Sequence, residues 1–190
     1  MKHLQLVTKI ENYGVLDKKE KELISTFFNP FQIKKKTILI DRDSPCNKLF
    51  FVNKGLLRAY YITSQGREVT RMIAWENRFL TNISSFRNFT QNNEIIECIE
   101  NAEILSIEKD DFENILRKSQ NLKCIYADLL EEYNSLHIKR YEHLNSGDSI
   151  EKLKYFKDNF FQLKNRLSDH ILASFLSISR KTIERNKLTH

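Results

Sequence analysis

Between Phe31 and Ile107 the chain is a series of short apolar, β-branched and aromatic runs, with no helical stretch separating them. Thr37–Ile40 ends in the turn cluster Asp41–Pro45, Leu49–Val52 in Asn53–Gly55, and Leu56–Thr63 in Ser64–Gly66. Val69–Trp75, Ile95–Ile99 and Ala102–Ile107 complete the series. Parallel neighbours need a long crossover, usually a helix, whereas turns this short join antiparallel strands. The spacing therefore predicts an antiparallel roll or barrel and excludes a βαβ sheet.

The flanks read differently. Asp17 can cap a short helix whose apolar face is Leu23, Ile24, Phe27 and Phe28, and Asn29–Pro30 should stop it. Residues 111–145 hold no Pro or Gly and abundant Leu, Glu and Lys, which predicts one long helix. Along it Tyr126, Leu129, Tyr133 and Leu136 step by three, four and three, a seam continuing onto Arg140 and His143. Such a seam suits a helix paired with a second copy, and equally one packed on its own roll. Ser146–Ser149 breaks the pattern, giving units at 1–110, 111–145 and 148–190. Asp148 or Ser149 can cap the next helix, 150–160, in which Leu153, Phe156 and Phe160 would form a small core.

Near the C-terminus, Ser168 can cap a helix carrying Ile171, Leu172, Phe175 and Leu176, with the small Ala173 between them. Ser177-Ile178-Ser179 interrupts it, and Ser179 can cap a second helix over 180–187. There Ile183 and Leu188 turn inward, while Arg180, Lys181, Glu184 and Lys187 face out. The layout is similar to a helix-turn-helix, whose second helix enters the major groove of DNA. Two positions depart from that pattern. Ser177 stands where glycine is usual, at a cost of about 1–2 kcal/mol if left-handed, and Asn186 stands where an apolar residue is common. A helical hairpin that merely packs would show much of the same pattern.

Charge supports a polyanionic partner. The net charge is +6, and residues 151–190 carry nine Lys and Arg against four Asp and Glu. The other 150 residues are nearly balanced, 22 against 21. Excess positive charge beside a recognition helix points to nucleic acid, although a solvated basic face gives the same count. No apolar run is long enough to span a bilayer and no signal-peptide core opens the chain, so a cytoplasmic location without a membrane partner is expected. Cys46, Cys98 and Cys124 are scattered without metal-binding spacing and read as buried thiols.

Enzyme signatures are missing. His3 and His137 are consecutive histidines, so the β region lacks the imidazoles of a metal-dependent cupin. Neither a G-x-S-x-G nor a phosphate-binding glycine motif occurs. A non-enzyme without an identifiable cofactor is expected.

The run from Lys35 to Asn82, with its ordered L-F-F-V-x-K-G and Q-G-x-E segments, resembles the β-roll of the Crp/Fnr regulators. The likeness extends through the long helix to short members that lack a β-wing. It implies an α+β fold: an antiparallel β-roll like the cyclic-nucleotide-binding jelly roll, a long dimerisation helix and a small C-terminal helix-turn-helix domain. It further implies a homodimer through Tyr126, Leu129, Tyr133 and Leu136, with double-stranded DNA as partner and RNA polymerase as a further one.

The same resemblance assigns Ser179, Arg180, Lys181, Thr182 and Arg185 to DNA contact. Arg180 and Arg185 fall on the guanine-reading positions of an R-E-x-x-x-R pattern, with Lys181 replacing its Glu. A solvated helix face is the plainer account of these arginines, and Arg185 could instead pair with Glu184 or Asp169. In the effector pocket, cyclic-AMP-binding members place Gly-Glu after a Phe-apolar pair and Arg-Ser further on. Here those positions are Thr81-Asn82 and Asn92-Asn93, with Arg87 out of register. An amide cannot supply a guanidinium's charge to a phosphate, so an effector other than cyclic AMP is expected. A roll that binds a ligand or partner but no longer DNA is the competing expectation.

Overall fold

The computed structural model describes residues 2–187, the side chains of Ser146 and Lys187 excepted, so the orientations expected for Lys187 and Leu188 lie outside the described residues. Two helices lead, α1 (Leu4–Glu11) and α2 (Lys18–Phe27). Strands β1 (Asn29–Ile33), β2 (Ile38–Ile40), β3 (Lys48–Lys54), β4 (Leu57–Ile62), β5 (Glu68–Ala74) and β6 (Phe79–Leu80) follow. After helix α3 (Ile83–Asn88) come β7 (Glu94–Cys98) and β8 (Ala102–Glu108). The rest is helical: α4 (Lys109–Lys118), α5 (Gln120–Ser146), α6 (Ser149–Asn159), a 3-10 turn at Phe161–Leu163, α7 (Asp169–Leu176) and α8 (Arg180–Lys187).

The strands make two antiparallel sheets, β1-β8-β3-β6 and β2-β7-β4-β5. This is the expected α+β roll followed by a long helix and small C-terminal helices. Its inner core includes Phe50, Val52, Leu57, Ala59, Ile96 and Ile104. Leu49 and Phe51 alternate with Phe50 and Val52 on β3, and so face the opposite side, under α1, α2, α4 and α5 with Leu105 and Ile107. That double burial explains the unbroken Leu49–Val52 run, since a strand covered on both faces has no polar side. Each large side chain so buried contributes about 1.5–3 kcal/mol. Gly55, at φ +93°, ends β3; a Cβ there would lie 2.5 Å from the Asn101 carbonyl, so only glycine fits.

Four features differ from the sequence reading. Helix α3 stands between β6 and β7, inside the series read as free of helices. The helix expected over 111–145 begins at Lys109 and is cut at Ser119, whose hydroxyl caps α5 by accepting from Leu122 N–H at 3.0 Å. Ser119 also donates to the buried Glu20 carboxylate, and the bend lets Ile115 and Leu122 enter one core. Pro30 ends α2 yet lies in β1, an edge strand paired only with β8, where its missing N–H costs no ladder bond. Finally, Cys46 and Cys98 are buried but Cys124 is exposed. Asp17 caps α2 as expected and Asp148, of the two candidates, caps α6, each in a capping box with Glu20 or Glu151.

Candidate nucleic-acid interface and effector cavity

The C-terminal hairpin forms from local rules. Ser168 caps α7 by accepting from Ile171 N–H at 3.3 Å, and the helix buries Ala173, Phe175 and Leu176. Ser177 ends it in the left-handed region (φ 54°, ψ 42°), and Ile178 N–H returns to the Ala173 carbonyl at 3.1 Å. Ser179 caps α8 through Thr182 N–H at 3.1 Å. Ile183, 2% exposed, pins α8 inward.

The opposite side of α8 presents Arg180, Lys181 and Arg185 to solvent. Arg180 Nε donates to Glu184 at 3.0 Å; an exposed pair four residues apart contributes only about 0.3–0.5 kcal/mol and is easily exchanged for another anion. The Ser179 and Thr182 hydroxyls lie 2.7 Å apart. All five expected contact residues thus lie on α8 or its cap.

This hairpin docks on the roll through a core the sequence did not disclose. Leu56, Ile73 and Ile99 pack with Phe156, Leu163, Phe175 and Leu176. Arg58, 2% exposed, anchors the polar part: it donates to Glu97 at 3.0 Å, Glu68 at 2.7 Å, Thr70 at 2.8 Å and Ser174 at 3.2 Å. Arg166 reaches both Glu76 and Glu100. The one signal for Arg58 was a lone charge inside the apolar run Leu56–Ile62.

The expected effector residues divide. Asn82 and Asn92 meet, with Asn82 Nδ2 donating to Asn92 Oδ1 at 2.8 Å and to Glu94 at 3.0 Å. Asn92, 2% exposed, further bonds the Glu94 backbone. Arg71 ion-pairs with Glu94 and donates to the Thr81 carbonyl at 2.9 Å. Asn93 and Arg87 are exposed and take no part. The amide and carboxylate groups at these positions are thus bonded to one another. Thr81 instead lines a cavity of 380 Å³ between the roll and α5, walled by Met72, Phe79, Phe112, Leu122 and Leu129.

Three of the four residues expected at the dimer interface face their own protomer. Tyr126 packs edge-on against Phe112, ring centroids 5.0 Å apart, and Leu129 joins the core beneath α1 and α2. Tyr133 accepts from Phe79 N–H at 2.7 Å, and burial pushes its hydroxyl up to about 12. Leu136 is 41% exposed. Within the protomer, the roll and α4 cover Tyr126, Leu129 and Tyr133. A different stripe stays open: Ala127, Glu131, Asn134, Ile138 and Tyr141, at four-three spacing, are all exposed.

Residues 30–119 match the cyclic nucleotide-binding domain family. The solved structures most like the whole chain include a protein from Eubacterium rectale assigned to the Crp/Fnr family of transcriptional regulators. It has 20% identity and a TM-score of 0.69, over 90% of this chain and 81% of that one. This is the Crp/Fnr fold. FixK2 from Bradyrhizobium japonicum shares it at 16% identity and TM-score 0.69, covering 85% of this chain and 83% of its own. So does the c-di-GMP-responsive global regulator CLP from Xanthomonas campestris, at 15% identity and TM-score 0.67, covering 91% and 92%. No curated protein matches the chain in sequence. Among the described residues, no helix of this Crp/Fnr fold is long and apolar enough to cross a membrane.

Proposed function

We propose that the chain is a DNA-binding transcription regulator acting in the cytoplasm as a homodimer, with the roll as sensor for a ligand other than cyclic AMP. The observation that carries the reading is α8, locked by Ile183 and its cap while Arg180, Lys181 and Arg185 project from the far side. Two such helices about a twofold axis would enter successive major grooves, reading half-sites about 34 Å apart. Lys and Arg contacts to phosphate provide most of the affinity, and base edges the selectivity. Arg180 and Arg185 suit guanine O6 and N7, whereas Lys181 cannot accept from a cytosine amino group. The open α5 stripe from Ala127 to Tyr141 supports pairing with a second copy, and RNA polymerase is the partner such a dimer would meet at a promoter.

Selection from a random duplex pool tests this directly. The expected product is an inverted repeat whose binding weakens steeply with salt. No enrichment, together with no association at low ionic strength, would end the proposal. Titration with cyclic AMP should give no heat, because Asn92 offers no charge to the phosphate.

A further inference from the structure

Among the described residues, one largely buried guanidinium has no acid beside it. Arg140, on α5, donates through Nη2 to the carbonyls of Thr70 at 2.9 Å and Phe175 at 2.6 Å, and lies over the Phe175 ring at 4.3 Å. Its Nε is buried and has no hydrogen-bond partner among the described residues. Burial lowers its pKa to about 10. The buried Arg58 is matched by Glu68 and Glu97, and the half-buried Arg71 by Glu94. A buried cation lacking a counter-ion is costly, and one that persists beside open space is suited to an incoming anion.

The space is there. A cavity of 290 Å³ adjoins Arg140 where β5, α5, α6 and α7 meet, close to the lower bound for small-molecule sites. Arg71, Arg78 and Lys139 also line it and no Asp or Glu does, although Arg71 and Arg78 pair with Glu94 and Glu132 outside the cavity. Its remaining walls include the rings of Trp75, Tyr155 and Phe160, with Trp75 and Phe160 edge-to-face at 6.0 Å.

We propose that this cavity binds a small organic anion with a flat aromatic body, its acidic group on Arg140 and its ring among Trp75, Tyr155 and Phe160. Arg140 and Lys139 select the charge, and the rings exclude hydrated inorganic ions in favour of a planar apolar body. An occupant touches the roll, the long helix and the C-terminal hairpin at once. The site stands on this geometry alone and does not require that the chain bind DNA.

Anilinonaphthalenesulfonate is a suitable probe, with its uncharged parent phenylnaphthylamine as control. Trp75 is the chain's one tryptophan and reports occupancy by quenching. The full chain should bind the sulfonate saturably, one per chain, at least about tenfold more tightly than the neutral parent. Arg140→Met should weaken the sulfonate about tenfold, Arg140→Lys by no more than about threefold, and neither should shift the parent by more than about twofold. Equal affinity for the two probes in the unmodified chain overturns the proposal, whether or not Arg140→Met folds. So does a folded Arg140→Met chain that binds the sulfonate unchanged.

Discussion

Arg166 grips Glu76 in a two-pronged ion pair: Nη1 and Nη2 each donate to one carboxylate oxygen at 2.9 Å. Arg166 precedes α7, whereas Glu76 lies beyond β5 and also accepts from Gly55 N–H at 2.8 Å. The pair therefore ties the hairpin to the turn that closes β3. It holds the Glu76 carboxyl below its usual range and raises the Arg166 guanidinium.

Replacing Arg166 with Ala should destabilise the docked hairpin by about 1–2 kcal/mol, the worth of a partly exposed bidentate pair. Hydrogen exchange would show faster exchange in α7 and unaltered protection in β3 and β8. Equal loosening of both regions would show that the pair stabilises the whole protein instead.

The two faces of α5 should respond differently to a charge. Leu129→Asp places a carboxylate in the core and should cost about 2–4 kcal/mol in unfolding. Ile138→Asp, on a position 50% exposed, should leave the protomer folded and shift light scattering from dimer to monomer. A dimer that survives Ile138→Asp removes the open stripe from the interface.

At α8, Arg180→Ala and Arg185→Ala should each cost about 1–3 kcal/mol on the selected operator and relax preference at one base pair. Lys181→Ala should instead weaken all sequences alike if Lys181 contacts phosphate. Sequence profiles from repeated selection with each variant distinguish the two outcomes.

Ser177 sits left-handed at φ 54°. Ser177→Gly relieves about 1 kcal/mol of backbone strain, partly offset by greater freedom in the unfolded chain. A melting temperature slightly above that of the unmodified protein is expected, and a lower one would mean the serine side chain has a role of its own.

His137 introduces a pH dependence. Burial, then Arg71 and Arg140, depress its pKa, with Glu94 opposing them. The folded state thus holds a proton less readily than the unfolded one. The stabilisation is complete above the ordinary histidine pKa and is lost as pH falls through the depressed folded value. His137→Gln should flatten the fall in melting temperature between about pH 7 and pH 5, and an unchanged slope would assign it to other groups.

The sequence alone determined what depends on neighbours along the chain. The strand series with its turns, the cap at Asp17, and the Ser177-Ile178-Ser179 break were all legible, because periodicity, caps and turn chemistry act within a few residues. The exposed face of α8 was legible for the same reason, since Ile183 marks which side is buried. Only the tertiary structure decided which partner each apolar stripe would meet. Tyr126, Leu129 and Tyr133 had the spacing for either a second helix or the roll, and periodicity records that a face is buried without recording against what. The meeting of Asn82 with Glu94, the docking of Ser174 on Arg58 and the lack of an acid beside Arg140 likewise arise between residues far apart in sequence, where packing places groups that no local rule connects.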